Sequence, residues 1–169
     1  EYKYLSAIKK EVRVALLDKD FIFDVWQVYK AKAMGADAIL LIATMIDKAT
    51  LSNLYKLAKA LKMDVLVEVH NEIDLEKALD IGADIIGINN RDLYSFNVEL
   101  ETTLRLRSKV PPDKIVVSES GIHTKESIYL MKTAKVDAVL VGESFVTAKD
   151  VKAKIKAFSE EAELHRYRL

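Results

Sequence analysis

The sequence, 169 residues long, contains no cysteine, which excludes a disulfide framework, a thiol nucleophile and a cysteine-bound zinc site. Its three histidines, His70, His123 and His165, are scattered, so no metal site is assigned. No apolar run approaches the roughly 20 residues of a spanning helix, and no membrane partner is expected. Lys+Arg and Asp+Glu both number 26 and leave no net charge. With no strongly basic face announced, nucleic acid falls away as a partner. Glycine (5) and proline (2) are scarce and 50% of the residues are hydrophobic, which excludes collagen-like and disordered chains. The expectation is one soluble, cytoplasmic globular domain over residues 1–169, large enough to bury a core. Residue 1 is Glu, and Glu1–Leu5 shows no signal-peptide pattern.

What the chain does contain is alternation. Six short apolar runs, Val12–Leu17, Ala38–Ile42, Val65–Val69, Ile85–Ile88, Ile115–Val117 and Ala138–Val141, show little polar interruption, as strands buried on both faces do. Between them lie helical stripes such as Leu51, Leu54, Tyr55, Leu57, Ala58 and Leu61, or Val151, Ile155, Phe158 and Ala162. Gly35-Ala36-Asp37, Gly82-Ala83-Asp84 and Lys135-Val136-Asp137 precede three of the runs in one shared layout. The first position ends a helix in a left-handed conformation and the Asp turns the chain into the strand. This βαβα order calls for a parallel sheet with right-handed crossovers.

A doubly wound sheet or a (β/α)8 barrel would satisfy that order. The first normally shows G-x-G-x-x-G after its opening strand, and no such run occurs. The second gathers polar residues at the C-terminal ends of many strands, because all the loops share one mouth. Lys19, Glu68, Asn89, Arg91 and Glu119 fall at such ends. The expected fold class is therefore α/β, a (β/α)8 TIM barrel present here as a partial barrel of about six βα units. A complete barrel takes roughly 250 residues. An arc of six strands would leave two open edges, so self-association or complementation through exposed sheet edges is expected.

Lys19, at a strand end, is either a surface lysine paired with a carboxylate or a general acid. Glu68, in Val65-Leu66-Val67-Glu68-Val69-His70, is flanked by apolar residues, where a carboxylate is costly unless paired or used. Glu119, in Val117-Ser118-Glu119-Ser120, poses the same choice between structural ion pair and acid/base work. Asn89-Asn90-Arg91-Asp92 reads as a substrate-orienting Asn and an anion-gripping Arg, or as an Asx turn with a surface Arg–Asp pair. Ser120-Gly121 and Gly142-Glu143-Ser144 offer backbone N–H groups near helix starts, as phosphate-binding loops do. No catalytic role is given to a histidine. Trp26 reads as core or helix-face packing, and the charged tail Glu160–Arg168 as a solvated helix end.

In this order the motifs resemble the indole-3-glycerol-phosphate synthases. The resemblance is carried by Leu17-Asp18-Lys19-Asp20-Phe21-Ile22, Leu66-Val67-Glu68-Val69-His70, Ile86-Gly87-Ile88-Asn89-Asn90-Arg91-Asp92-Leu93, Ser118-Glu119-Ser120-Gly121-Ile122 and Leu140-Val141-Gly142-Glu143-Ser144. It implies family strands three to eight. It also implies a ring closure of 1-(o-carboxyphenylamino)-1-deoxyribulose 5-phosphate that yields indole-3-glycerol phosphate, carbon dioxide and water, with no cofactor. By resemblance Lys19, Glu68, Asn89 and Glu119 are catalytic, while Arg91, Ser120, Gly121, Gly142 and Glu143 bind substrate. The family's first-strand E-x-K…S-P-S segment has no counterpart in this sequence, and Asp18 stands where the family more often has an apolar or basic residue. The alternative is a non-catalytic partial barrel that assembles with itself or with a complementary fragment.

Overall fold

The computed structural model describes residues 3–163, so His165 and the tail beyond Glu163 lie outside the described residues. The elements run α1 (Lys3–Glu11), β1 (Leu17–Asp18), α2 (Val25–Ala33), β2 (Ala38–Ile42), α3 (Lys48–Ala60), β3 (Asp64–Val69), α4 (Glu72–Asp80), β4 (Ile85–Asn89), α5 (Glu101–Arg107), β5 (Ile115–Glu119), α6 (Lys125–Thr133), β6 (Ala138–Leu140), α7 (Glu143–Val146) and α8 (Val151–Glu163). Strands neighbour one another in chain order, and β1–β2, β2–β3 and β5–β6 pair in parallel, as right-handed βαβ crossovers dictate. Among the described residues no helix is long and apolar enough to cross a membrane. The chain divides into two compact units, Glu1–Ile86 and Gly87–Leu169.

In the first unit, β2 buries Ile39, Leu40, Leu41 and Ile42, and β3 buries every residue from Val65 to Val69. Such double-faced burial is why both read as continuous apolar runs. α3 starts where the Asp47 carboxylate accepts the N–H groups of Ala49 and Thr50, and it lays Leu51, Leu54, Tyr55 and Ala58 inward. α2 starts in a capping box between Asp24 and Gln27.

The run Val12–Leu17 is the one strand expectation that fails: β1 is only Leu17–Asp18. The Val12 N–H still belongs to the preceding helix, bonded to the Ile8 carbonyl at 3.1 Å, and Val14 is 66% exposed. An apolar run becomes a strand only where a neighbour supplies ladder bonds, and that begins at Leu16. Of the two placements expected for Trp26, core fails, since the residue is 60% exposed, and helix-face packing is what α2 shows, with the Lys30 ammonium 4.4 Å from the ring centre.

The repeated layout before the strands has a different purpose from the turn inferred for its aspartate. Asp37 accepts the N–H of Leu16 at 2.8 Å while its own N–H donates to the Leu16 carbonyl at 2.9 Å. Asp137 does the same to Val116, at 2.8 and 3.0 Å. Each aspartate thus fastens the start of the preceding strand to its own. Gly35, Gly82 and Lys135 have φ of 95, 76 and 58°, and a fourth copy appears at Lys62-Met63-Asp64, with Lys62 at 56°. A left-handed lysine carries a Cβ penalty of about 1 kcal/mol that glycine avoids. Lys62→Gly, at an exposed position, is therefore expected to raise stability by up to about that amount, read as a higher urea midpoint.

In the second unit, Ile122, Ile128, Met131 and Phe158 form a core cluster, with the Phe145 and Phe158 ring centres 5.6 Å apart. Of the apolar stripe on α8, Phe158 is buried, whereas Val151 and Ile155 stay exposed. Ile155 borders an apolar recess of about 500 Å³ between α6, β6 and α8.

Candidate active site

In the first unit the polar ends of β1 and β3 meet. Lys19 follows β1, and Glu68 is the penultimate residue of β3, in register with Ile42 of β2. The Lys19 ammonium reaches over β2 to Glu68 Oε2 at 3.2 Å; the lysine side chain is 37% exposed and the glutamate side chain 2%. Glu68 is thus paired, and its partner is the other residue singled out for chemistry. A buried carboxylate facing a half-exposed ammonium gains from the pairing without enclosing both charges.

Glu68 has a second neighbour, a histidine given no catalytic role from sequence. His70, two residues on and so on the same face of the chain, places Nε2 at 3.3 Å from Glu68 Oε1, an ion-pair approach rather than an aligned hydrogen bond. On the other side of the ring, Nδ1 lies 3.1 Å from Thr44 Oγ1 and 3.9 Å from Asp74 Oδ2. Thr44 donates its hydroxyl proton to that same Asp74 oxygen, which also accepts the His70 N–H at 3.3 Å. Asp74 lies in the first turn of α4, where the helix dipole favours a carboxylate. The spacings His70–Asp74 (i, i+4) and Glu68–His70 (i, i+2) were the available signal.

Asp18, next to Lys19, is half-buried, and its Oδ2 accepts no hydrogen bond among the described residues. Burial pushes its carboxyl above the usual range, and the negative charge of Asp20 adds to the shift. A carboxyl whose folded value exceeds its unfolded value penalises folding once ionised. The penalty is absent below the unfolded value and complete once pH has risen through the folded one. Asp18→Asn is therefore expected to raise the melting temperature at neutral pH, with the gain vanishing near about pH 3.

In the second unit Asn89 ends β4 and its Oδ1 accepts from the Arg91 N–H at 3.0 Å and the Ser120 hydroxyl at 2.9 Å. The first bond is the Asx turn considered from sequence; the second ties the turn to the end of β5. The surface Arg–Asp pair is not what the Arg91 guanidinium makes: it meets Glu143 Oε2 at 3.0 Å. Glu143 therefore presents its side chain to Arg91 at the start of α7. Glu119 closes β5 with its side chain buried. Ser120 and Gly121 follow in consecutive left-handed conformations, φ 64 and 78°. A Cβ on Gly121 would stand 2.8 Å from Val98 Cγ1 and 3.0 Å from Leu100 Cδ2, whereas nothing lies within 4 Å of a Cβ on Gly142. Gly121 is needed sterically, and Gly142 keeps open space before its backbone. The His123 carbonyl accepts from the Lys154 ammonium at 2.8 Å.

The hub of this region is Asn90, which the sequence reading left without a role. Its amide nitrogen donates to Ser118 Oγ (3.0 Å) and to the carbonyls of Glu119 (3.0 Å) and Ser120 (3.1 Å). Its Oδ1 accepts the N–H and hydroxyl of Thr103 at 3.1 and 2.8 Å. Asn90, Thr103 and Ser118 are buried, so the network is dry and fully used. Among the described residues no group of three or more His, Asp or Glu side chains is placed to hold a metal ion.

Comparison with known structures shows the fold. The chain superposes on 3-hexulose-6-phosphate synthase from Salmonella typhimurium with a TM-score of 0.84 at 19% identity, covering 97% of this chain and 81% of that one. For KGPDC from Streptococcus mutans the TM-score is 0.76 at 13% identity, covering 96% and 79%. These are TIM-barrel proteins, and the α/β barrel expectation holds. In sequence, the chain is 47% identical over 155 residues to indole-3-glycerol phosphate synthase of Acetivibrio thermocellus, covering 92% of this chain and 60% of the relative. It is 52% identical over 143 residues to that of a Roseiflexus species, covering 83% and 53%. The chain thus spans between half and three-fifths of the length of these curated relatives. The family model for indole-3-glycerol phosphate synthase matches residues 1–158, and the chain belongs to that family.

Proposed function

We propose that this chain carries the acid/base residues and most of the binding residues of a decarboxylating, dehydrating synthase. It would convert 1-(o-carboxyphenylamino)-1-deoxyribulose 5-phosphate into indole-3-glycerol phosphate. The observation that carries the reading is the Lys19–Glu68 pair, an ammonium on a nearly buried carboxylate at the polar ends of two strands. Lys19 is the general acid that protonates the substrate carbonyl during ring closure. It is charged beside Glu68 and exposed enough to reach a ligand. Glu68 moves the proton in the later dehydration. Asn89 orients the substrate, and its bonds to Arg91 and Ser120 fix its amide. Arg91 takes the anthranilate carboxylate by exchanging its Glu143 partner for the substrate, a bidentate match for guanidinium. Glu119 and Ser120 line the sugar side. The backbone N–H groups at Gly121, Gly142 and Glu143 hold the phosphate.

The test is turnover by the whole product of the gene that encodes this chain, followed by indole fluorescence and carbon dioxide release. Lys19→Ala and Glu68→Gln are each expected to lower kcat by about 10²–10⁴. Near-normal turnover in both would remove the proposed chemistry and leave the family assignment intact. A second reading, a partial barrel that self-assembles or accepts a complementary fragment, is favoured by the apolar recess beside Val139, Phe145 and Ile155. A strictly monomeric 169-residue chain by sedimentation, with no uptake of a fragment, would dismiss it.

A further inference from the structure

We propose that Asn90 is a positioning residue that aims two successive backbone N–H groups, those of Ser120 and Gly121, at one anion. That the anion is the substrate's phosphate rests on the reading given above; the aim of the two groups does not.

The orientation of the Asn90 amide is decided by its backbone partners. The Thr103 N–H can only donate, so the amide atom 3.1 Å from it is the oxygen. The carbonyls of Glu119 and Ser120 can only accept, so the atom 3.0 and 3.1 Å from them is the nitrogen. A side chain 2% exposed, held at its acceptor end by Thr103 on α5, thus presents its donors to two consecutive carbonyls where β5 ends. The Asn90 N–H donates to the first of them as well, at 2.9 Å.

A trans peptide group is planar, and its N–H points opposite to its carbonyl. None of the peptide bonds is cis. The Glu119 carbonyl shares its peptide group with the Ser120 N–H, and the Ser120 carbonyl shares its own with the Gly121 N–H. With both carbonyls turned to one buried nitrogen, both N–H groups point away from it, on the same side of the turn. Consecutive peptide groups in a strand point opposite ways, so the two agree only if Ser120 leaves the extended region, and its φ of 64° does so. A left-handed residue with a Cβ persists where its surroundings over-determine it. Asn90 is one tie, and the Ser120 hydroxyl on Asn89 Oδ1 at 2.9 Å is another. Successive N–H groups on one side of such a turn form a concavity suited to an anion.

The test begins without substrate. In the ¹⁵N-labelled 169-residue chain the Gly121 N–H is expected to be as rigid as regular backbone, with an order parameter of about 0.85, and to shift on addition of inorganic phosphate. Asn90→Ala should loosen it toward the flexible range, below about 0.6, and weaken phosphate binding by about tenfold. Where that variant does not fold, Thr103→Val answers. It removes one of the two groups on the acceptor end of the amide, adds no charge, and should move both readouts in the same direction. Gly82→Ala, destabilised in the other unit, should move neither. An unchanged order parameter at Gly121 in the folded variant, an unchanged phosphate affinity where the unsubstituted chain binds, or equal changes in Gly82→Ala would each overturn the proposal. In the gene's whole product Thr103→Val should raise KM with kcat nearly unchanged. A fall in kcat at constant KM is what lost folding alone produces, and it would overturn the positioning role. If Gly121 loses its order in the variants while phosphate leaves its resonance unmoved in the unsubstituted chain, the phosphate reading fails and the aim of the N–H groups stands.

Discussion

Asn90→Ala is expected to cost about 3–5 kcal/mol of folding stability, far more than the loss of a small side chain. Removing the amide leaves five groups without their partner: the Ser118 hydroxyl, the Thr103 N–H and hydroxyl, and the Glu119 and Ser120 carbonyls. A buried group deprived of its partner costs about 1–3 kcal/mol. The Ser118 and Thr103 hydroxyls still have each other at 2.8 Å, and the Glu119 carbonyl still accepts the Asn90 N–H at 2.9 Å, so the sum falls short of five full penalties. Asn90→Asp isolates the two halves of the network, because it keeps the acceptor for Thr103 and loses the donors toward β5. Urea denaturation should place the Ala variant well below the wild type in midpoint at an unchanged slope. A cost below about 1 kcal/mol would mean that solvent replaces the amide, and the network would then be no more than wet packing.

The second large effect is at Gly121, where two penalties coincide. Its φ of 78° exacts about 1–2 kcal/mol from any residue with a Cβ, and the contacts at 2.8 and 3.0 Å to Val98 and Leu100 add an overpacking cost of about 1–3 kcal/mol. Gly121→Ala should therefore lose about 2–4 kcal/mol in the same experiment. Gly82 separates the two contributions: its φ is 76° and nothing stands within 4 Å of its Cβ direction, so Gly82→Ala should pay for the backbone alone. Equal losses at the two glycines would show that Val98 and Leu100 simply give way.

Ala38–Ile42 was legible to the residue because both of its faces are buried, so apolarity and strand coincide. Val12–Leu17 was misread for the complementary reason: hydrophobicity reports a wish for burial, and ladder bonds depend on a neighbour that the local sequence does not contain. Lys19 and Glu68 stood out because charge at a strand end is locally anomalous, and the ion pair follows from that anomaly. Thr44, Asp74 and Asn90 were invisible because each is an ordinary polar residue in a loop or first turn, and only tertiary contacts give it more than one partner. Lys62 escaped notice because the left-handed position was sought through glycine, and the backbone imposes that conformation on a lysine as well.

The two-residue β1 has a consequence for how the first unit responds to its surroundings. With a register of only Leu17 to Ala38 and Asp18 to Ile39, the ladder holds this strand weakly. Side-chain anchors stand at its two ends: the Leu16 N–H on the Asp37 carboxylate, itself bridged to Lys9, and Lys19 on Glu68. Ions bear on the two anchors unequally. The Lys9–Asp37 bridge is solvent-exposed and is screened by salt, whereas the oxygen that Glu68 presents to Lys19 is sheltered. Rising ionic strength therefore frays this edge from its N-terminal side while the lysine stays docked. The end of the strand that leads into Lys19 is the last to let go.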